Sequence, residues 1–263
     1  MNILILIYRK IFCRRFFYSL NLRIFDLSLR GIGILNYEGY KTSGEAWFLN
    51  TFLKGKNIKT IVDVGANDDP YGIEIPNAEV FALEPNLHTF LRLKRNTKKY
   101  SNIHCFSIGL SDKKGKATLY DISEKGTTLA TLQKDVLEES YGTKSTSTQI
   151  TLSTLDDFVK DNNIKNVDLL KIDTEGNEYN VLLGAKKTLS KGKVKIVLFE
   201  FNEMNVHNRV FFKDFYEILK DFTLYRLLPD GLMPLGEYRP ITHELFAFQN
   251  IVAINTKTRR NND

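Results

Sequence analysis

Residues 60–85, TIVDVGANDDPYGIEIPNAEVFALEP, decide the fold of this chain. The apolar run Thr60–Val64 stops at the turn signal Gly65-Ala66-Asn67, and a second run, Ala78–Leu83, ends at Glu84-Pro85. This order predicts a strand, a glycine turn, a crossover and a second strand of a doubly wound sheet. At such a strand tip a carboxylate accepts hydrogen bonds from ribose hydroxyls, while the glycine turn lets a ligand approach the backbone. We therefore predict that an adenosine-containing cofactor binds here, held in part by Glu84.

The composition of the turn favours S-adenosyl-L-methionine over a dinucleotide. A dinucleotide fingerprint has three glycines spaced G-x-G-x-x-G, whereas Gly65 is followed next by Gly72. Asp68 and Asp69 bring two carboxylates that would repel a pyrophosphate, but they suit a ligand with a sulfonium and an ammonium group. Two alternatives remain at this point: an ordinary turn without a ligand, and an oxidoreductase that uses a nicotinamide cofactor.

A second stretch, 167–201, supplies further acids at strand ends. Val167–Asp173 predicts a strand, Thr174-Glu175-Gly176 a turn, Asn177–Leu189 a helix and Val194–Phe201 another strand. In open α/β sheets, ligands bind outside the carboxyl ends of the strands. Four acids at or next to such ends are therefore expected to face one cleft: Asp63, Glu84, Asp173 and Glu200.

Five motifs along the chain are typical of one family. They are DVGAN at 63–67, EPN at 84–86, Ser111-Asp112 after a strand, LDDF at 155–158 and KIDTEGNEYNVLLGA at 171–185. Over roughly residues 43–255 the chain resembles the FkbM-type methyltransferases, which belong to the class I S-adenosylmethionine-dependent enzymes. The resemblance implies methylation of a hydroxyl oxygen, often on a sugar of a polysaccharide, glycolipid or natural product. It also implies a Rossmann-like, mostly parallel seven-stranded sheet whose last strand is antiparallel.

The motifs also predict site residues. Cofactor contacts are predicted for Asp63, Gly65, Asn67, Glu84, Pro85, Ser111, Asp112 and Asp173. Catalytic roles are predicted for Asp173, Glu175 and Glu200, because a carboxylate at this edge can orient or deprotonate an acceptor hydroxyl. A structural alternative is that Asp173 caps the following helix and that Glu175 favours its positive end.

One departure from the family's pattern concerns the crossover. Members usually carry a glycine soon after DVGAN, where this chain has Asp68-Asp69-Pro70, and only residues 66–77 remain for the connection. That length is near the minimum for a parallel crossover, about 10–12 residues, and Pro70 and Pro76 restrict helix inside it. A cofactor whose methionine end binds differently or weakly, or a non-catalytic binding protein on the same fold, is the alternative that this departure leaves open.

Composition indicates a single enzyme-sized α/β domain. The chain has 263 residues, is 43% hydrophobic and carries a formal charge of +6, with lysines and arginines scattered, so specific nucleic-acid binding is not expected. Cys13 and Cys105 lack metal or disulfide spacing, which favours a reducing compartment. The four histidines form no metal-binding pair, so no metal site is predicted. The oligomeric state is left open.

The ends of the chain differ from this domain. Residues 1–42 predict a basic, aromatic helical extension before a methyltransferase domain at 43–255, and residues 256–263 a disordered basic tail. Asn2–Tyr8 is too short to span a bilayer, and Arg9 and Lys10 follow the apolar run rather than precede it, so no secretory signal is predicted. We expect a cytoplasmic protein whose residues 1–30 either lie on the membrane's cytoplasmic face or pack on the domain or a partner.

Three segments between the motifs receive weaker predictions. Ala117–Ile122 and Thr148–Leu152 are strand-like, and residues 127–132 between them are expected either to line the pocket or to form a surface hairpin. Residues 229–246 form a long, polar segment that contains Gly231, Pro234, Gly236, Pro240 and His243, so we predict an acceptor-recognition loop. Ser43 is predicted to cap a helix that starts at Glu45.

Overall fold

The computed structural model describes residues 3–73, 75, 77–123, 126, 127, 130–134, 142 and 144–259. An eight-stranded sheet forms the centre of the protein. Its strands are β1 (Thr60–Val64), β2 (Glu79–Leu83), β3 (Ile103–Phe106), β7 (Val167–Ile172), β8 (Val194–Phe201), β9 (Phe222–Leu228), β10 (Gly231–Pro234) and β11 (Gln249–Asn255). Their order is β10-β9-β11-β8-β7-β1-β2-β3. The doubly wound, mostly parallel fold predicted from the sequence is confirmed.

The direction of the strands matches the prediction, while their number differs by one. The last strand, β11, is antiparallel to both neighbours, β8 and β9. The additional strand is β10, which pairs with β9 as a hairpin inside the segment that was predicted to be a loop. A second, three-stranded sheet lies beside the main one and contains β4 (Gly109–Leu110), β5 (Gly115–Asp121) and β6 (Thr146–Ser153).

Helices precede, connect and follow these strands. They are α1 (Ile3–Phe12), α2 (Tyr18–Gly31), α3 (Glu45–Trp47), α4 (Leu87–Asn96), α5 (Leu155–Asp161), α6 (Glu178–Leu183), α7 (Lys186–Ser190), α8 (Met204–His207), α9 (Phe212–Ile218), α10 (Pro240–His243) and α11 (Thr256–Arg259). A 3₁₀ turn, Arg15–Phe17, precedes α2, and a π-helical turn, Phe48–Leu53, follows α3. Gly44, with φ +88°, is the residue before α3, so the prediction that Ser43 caps this helix is wrong.

The core lies on both faces of the main sheet. One face packs Val62, Leu170 and Phe199 against α5, α6 and α9, where the rings of Phe199 and Phe215 stack with centroids 4.6 Å apart. The other face packs Ile61 and Leu169 against the π-helical turn. Because both faces are covered, every residue of β7 is buried, including the charged side chains of Asp168 and Lys171.

The predicted helix over 177–189 is two helices. The chain breaks at Gly184, whose carbonyl accepts a hydrogen bond from Asp156 N instead of from a later turn of its own helix. The Asp156 carboxylate then accepts bonds from the backbone N–H groups of Lys187 and Thr188 and so caps α7. A Cβ on Gly184 would lie 2.1 Å from Ser111 O, so this close approach requires glycine.

The two ends of the chain are helical where they are described. None of the residues of α1 is buried, and α2 buries Leu29 alone. Within the described part of the chain, no helix has both the length and the apolar character needed to cross a bilayer. The tail begins with the turn α11, while residues 260–263 lie outside the described residues, so its disorder stays a prediction.

Candidate active site

A cavity of about 270 Å³ opens at the carboxyl edge of the main sheet. The ends of β1, β2 and β7 form its floor, and the second sheet forms one wall. Its polar lining includes Asn67, Asp69, Glu84, Asp173, Glu175 and Asn177. Its apolar lining includes Pro85, Leu110, Leu119, Leu132, Ile150 and Leu152. One end of the cavity is therefore acidic and the other apolar.

Gly65 brings β1 and β7 together at the floor of this cavity. It has φ +80°, and a Cβ built on it would lie 1.8 Å from Asp173 O. The backbone N–H groups of Gly65 and Ala66 both donate to Leu83 O, and Asp173 N donates to Val64 O. The absence of a side chain at Gly65 thus has a structural reason besides the approach of a ligand.

Glu84 joins the turns that follow β1 and β2. One of its carboxylate oxygens accepts a hydrogen bond from Asn67 N at 3.1 Å, and the other accepts one from Asn86 N at 2.8 Å. Asn86 in turn caps α4 by accepting bonds from His88 N and Thr89 N. Burial raises the pKa of Glu84 to about 7, although both backbone bonds oppose this change.

Of the adjacent carboxylates Asp68 and Asp69, only the second lines the cavity. Asp68 pairs with Arg92 of α4, with 3.3 Å between the guanidinium nitrogen and the carboxylate oxygen, and its carbonyl accepts a bond from Asn96. Asp69 lines the cavity. The departure at 68–70 therefore leaves one acid facing the ligand space. The described crossover residues form turns instead of a helix.

Lys171 lies at the centre of the acidic end, and the sequence analysis assigned it no role. Its Nζ is 3.0 Å from an Asp173 oxygen and 3.7 Å from Asp63 Oδ1. Burial disfavours the charged form of Lys171, but Asp173 and Asp63 outweigh this effect and raise its pKa. The sequence signal for this role was a lysine in a mostly apolar strand, two residues before a strand-end acid, because a buried charge requires a partner.

Asp63 lies behind the cavity instead of lining it. Its side chain is completely buried, Oδ2 accepts a hydrogen bond from Tyr71 N at 2.6 Å, and Oδ1 has no hydrogen-bond partner. Burial raises the pKa of Asp63 to about 6, against the opposing effect of Lys171. Asp63 therefore acts on the site through Lys171 and through the crossover backbone.

The acids after β7 have separate roles. Glu178 accepts hydrogen bonds from Thr174 N and Gly176 N and so stabilises the turn before α6, the helix that Asp173 was alternatively expected to cap. Asp173 instead pairs with Lys171. Glu175 has φ +51° and lines the cavity. Its pKa is raised well above the ordinary value by burial and then by the neighbouring carboxylates Asp173 and Glu178.

A second cavity, of about 230 Å³, adjoins the first and shares Lys171 and Asp173 with it. Glu200, near the end of β8, lines this second cavity together with Glu45 from α3. Burial raises the pKa of Glu200 well above its ordinary value, and the charges of Asp173 and Glu175 raise it further. Burial likewise raises the pKa of Glu45, which Lys171 opposes.

The structure brings most, but not all, of the predicted residues to the first cavity. Gly65, Asn67, Glu84, Pro85, Asp173 and Glu175 line it. Ser111 and Asp112 do not: Ser111 is buried with its Oγ near Asn177 Oδ1, and Asp112 is exposed. Of the segment 127–132, Thr127, Ala130 and Leu132 line the cavity, while residues 128 and 129 lie outside the described residues.

The residues of the first cavity fit S-adenosylmethionine. Glu84 retains lone pairs for ribose hydroxyls beyond its two backbone bonds, and the apolar end suits an adenine ring. The acidic end, with Asp69, Asp173 and Glu175, suits a ligand with two cationic groups. Among the described residues, no group of three or more His, Cys, Asp or Glu side chains is arranged to hold a metal ion.

Comparisons with known proteins agree with this chemistry. Residues 63–226 match the methyltransferase FkbM domain. The chain is 20% identical over 185 residues to 2-O-methyltransferase NoeI of Sinorhizobium fredii, a match that covers 65% of this chain and 75% of NoeI.

Two solved structures of methyltransferases are also similar. FkbM from Methylobacillus flagellatus matches with a TM-score of 0.46 and 13% identity, over 82% of this chain and half of that protein. Fibrillarin of Aeropyrum pernix, solved with S-adenosyl-L-methionine, matches with a TM-score of 0.42 and 11% identity, over 83% of this chain and 76% of that one. Since the FkbM domain covers more than half of its length, the chain belongs to the FkbM family of methyltransferases, and S-adenosylmethionine is its cofactor.

Proposed function

We propose that this methyltransferase transfers the methyl group to a hydroxyl oxygen, on a sugar of a glycan, polysaccharide or glycolipid. One observation carries the proposal: two adjoining cavities share the wall formed by Lys171 and Asp173, and each has a carboxyl of raised pKa, Glu175 in the first and Glu200 in the second. A cofactor cavity beside a second, polar cavity suits transfer between two bound molecules. NoeI is named as a 2-O-methyltransferase, and this relationship supports the same class of acceptor.

The raised pKa values suit methyl transfer to a hydroxyl group. A sugar hydroxyl is a poor nucleophile, so a base that removes its proton helps, typically by about 10²–10⁴-fold. A carboxylate with an ordinary pKa near 4 is a weak base towards an alcohol, and burial strengthens it. Glu200 is placed for this role, because one of its oxygens accepts a bond from Asn202 and the other remains for the acceptor.

The remaining residues of the two cavities bind the cofactor and orient the reactants. When bound, S-adenosylmethionine supplies a methyl carbon on a sulfonium, so that transfer leaves a neutral thioether and releases the proton of the hydroxyl. Lys171 fixes the Asp173 carboxylate at the wall between the cavities. Glu175 places a further acid beside the cationic end of the cofactor. Holding both reactants in line supplies much of the rate in such reactions, about 7–11 kcal/mol in favourable cases.

The test is methyl transfer from labelled S-adenosylmethionine to carbohydrate extracts of the source organism, followed by linkage analysis of the labelled sugar. The expected product is a methyl ether on a sugar hydroxyl. A matched reaction uses Glu200→Gln, which keeps the size of the side chain and removes the base, so turnover should fall by about 10²-fold or more. Label found on nitrogen, on carbon or in no carbohydrate would overturn the proposed acceptor.

We also propose that the N-terminal helices contact an anionic membrane surface. On α1 and in the turn that follows it, eight apolar or aromatic side chains are exposed. They are Ile3, Leu4, Ile5, Leu6, Ile7, Tyr8, Ile11 and Phe16. Residues 1–32 carry six basic side chains, Arg9, Lys10, Arg14, Arg15, Arg23 and Arg30, against the single acid Asp26. A basic surface with exposed apolar side chains complements anionic lipid. The two free cysteines agree with a cytoplasmic location on that surface.

Vesicle sedimentation tests this contact. The full chain should sediment with vesicles that contain phosphatidylserine, and much less with pure phosphatidylcholine vesicles. Replacing Arg14 and Arg15 by Gln should weaken the binding, whereas the same change at Lys186 and Lys187, on the catalytic domain, should not. Equal binding to both vesicles, no binding, or self-association of the chain through α1 in sedimentation velocity would contradict the proposal.

A further inference from the structure

The second cavity is built in part by a segment that the sequence analysis assigned to the extension. Tyr37, Gly39, Tyr40 and Ser43 line it from one side, followed by Glu45. The carboxyl-end residues of β7 and β8 line it from the other side. A chain segment before the first strand of the domain therefore reaches the same cavity as Glu200 and Asp173.

This segment is fixed to the catalytic domain. Ile34 is fully buried, and Leu35 N donates to Phe248 O at 2.8 Å. Gly44, with φ +88°, approaches β9 so closely that a Cβ would lie 2.6 Å from Leu228 O. The backbone N–H groups of Thr42 and Ser43 both donate to Gly39 O, which closes a tight turn. Residues 34–45 thus pack against the strands of the catalytic domain.

The segment also reaches the charged cluster. Ser43 Oγ donates to a Glu45 oxygen at 2.9 Å, which orients that carboxylate. Glu45 and Lys171 are close enough for each to change the pKa of the other, beyond the effect of burial. Any molecule in the second cavity therefore lies beside the same lysine that borders the cofactor cavity.

The lining combines aromatic rings with hydrogen-bonding groups. Tyr37 stacks edge-on against Phe248, with ring centroids 6.1 Å apart, and Tyr40 lies in the same turn region. Glu45, Glu200 and Asn250 supply acceptors, and Asn250 supplies donors as well. Apolar ring faces with a few oriented polar groups are what a polyhydroxylated ring requires, since it has apolar faces and an equatorial belt of hydroxyls.

We infer that the second cavity is the acceptor site and that Tyr37 and Tyr40 hold a sugar ring with one hydroxyl facing Glu200. This inference rests on the proposed function. Methyl transfer then forms a carbon–oxygen bond on that hydroxyl as the carbon–sulfur bond breaks, and the proton passes to Glu200. The volume of about 230 Å³ suits a single sugar unit, with the rest of a longer acceptor outside.

The rival occupant of this cavity is the methionine end of the cofactor. The two possible occupants lead to different expectations for variants of Tyr37 and Tyr40. If the tyrosines hold the acceptor, their loss raises the half-saturating concentration of acceptor and leaves the affinity for the cofactor unchanged. Tyrosines that hold the cofactor change the affinity for S-adenosylmethionine itself. Calorimetry with S-adenosylmethionine and saturation with the carbohydrate extract therefore distinguish them.

The experiment compares Tyr37→Ala and Tyr40→Ala with wild type in the full chain. Each should raise the half-saturating concentration of extract at least tenfold, with the dissociation constant of S-adenosylmethionine within threefold. Tyr37→Phe and Tyr40→Phe keep the ring, so their half-saturating concentrations of extract should lie close to that of the wild type. Tyr18→Ala is the matched control, because Tyr18 is an exposed tyrosine of the same extension away from the cavity.

Each outcome decides a different point. Wild-type enzyme that methylates no carbohydrate hydroxyl overturns the proposed function. Active wild type with unchanged saturation in both alanine variants overturns the acceptor site alone. Alanine variants that lose S-adenosylmethionine affinity, while their phenylalanine counterparts remain folded and retain it, assign the cavity to the cofactor and overturn the inference.

Discussion

Replacing Glu84 by Gln should weaken cofactor binding in a pH-dependent way. The carboxylate lines the cofactor cavity and keeps lone pairs for ribose hydroxyls, and a hydrogen bond to a charged group contributes about 1.5–3 kcal/mol. At pH 8 the loss of the charge should therefore weaken S-adenosylmethionine binding by about 10–100-fold. The Gln amide also places N–H groups opposite Asn67 N or Asn86 N, so the variant should lose about 1–3 kcal/mol of unfolding free energy.

The pKa of Glu84, about 7, gives this prediction its pH dependence. Only the ionised form accepts from two hydroxyls, and its fraction falls from about nine-tenths at pH 8 to about one-tenth at pH 6. Wild-type affinity should thus fall by about tenfold between pH 8 and pH 6 through Glu84. Glu84→Gln should lack this component. Titration of the ligand's own groups is common to both proteins and cancels in the comparison.

The same pKa has a consequence for the ligand-free protein. The folded-state pKa of Glu84 lies above its ordinary value of 4.5, so the folded state binds the proton more tightly than the unfolded state. The contribution to stability is fully present below pH 4.5 and is lost as the pH rises through 7. Relative to Glu84→Gln, the wild type should lose about 3 kcal/mol over this window.

Isothermal calorimetry at pH 6, 7 and 8, with denaturant unfolding at the same pH values, measures both effects. Glu79→Gln is the control, because Glu79 lies at the exposed start of the same strand. Equal pH dependence of binding in wild type and Glu84→Gln would refute the reasoning. So would unchanged affinity at pH 8 in a folded variant.

Three further predictions concern the floor of the site and the extension. Gly65→Ala should lower the free energy of unfolding by at least about 3 kcal/mol, because the new Cβ meets Asp173 O in a positive-φ turn. Urea unfolding measures this loss, and the control Gly115→Ala, whose Cβ meets no atom within 4 Å, should be nearly neutral. Normal stability of the Gly65 variant would contradict the contact. Asp173→Asn and Glu175→Gln should reduce kcat by about 10²-fold or more and should also weaken S-adenosylmethionine binding, because both side chains line the acidic end of the cofactor cavity; loss of stability with full turnover and cofactor affinity in the folded fraction would instead support structural roles. Deleting residues 2–28, which spares buried Leu29, should leave cofactor affinity within a few-fold and abolish vesicle sedimentation; a soluble deletion protein that binds no cofactor would show that the extension is required for the catalytic fold.

The strands were predictable because their signal is local. Thr60–Val64 and Val194–Phe201 have the bounds read from their apolar runs, since strands covered on both faces are mostly apolar along their length. The acids at the ends of β1, β2, β7 and β8 lie at one edge of the sheet, because parallel strands end there. They do not all face one cleft, since Glu84 and Asp173 line the first cavity, Asp63 lies behind it and Glu200 lines the second. Local patterns also located the glycine turn, although the contact of Gly65 with Asp173 joins residues far apart in the chain.

The parts that the sequence did not reveal depend on contacts between distant segments. Capping of the turn after β7 by Glu178, instead of by Asp173, depends on which carboxylate Lys171 binds. The break at Gly184 depends on a hydrogen bond from α5. The role of residues 37–45 depends on where β9 and β11 place Leu228 and Phe248. Periodicity and composition carry no information about such pairings.

The carboxyls around Lys171 also bear on how a turnover ends. In the described structure the carboxyls of Glu45, Asp63, Asp173 and Glu175 interact with the Lys171 ammonium, and those of Glu178 and Glu200 interact in turn with Asp173. A cationic cofactor reduces their mutual repulsion on arrival, whereas the thioether that remains after transfer is one charge less positive. The same side chains that attract the reactant therefore hold the spent cofactor less strongly. We expect the enzyme to discriminate between the two forms by charge. The cationic cofactor should therefore replace the spent one more readily at low ionic strength, and added salt should weaken this preference.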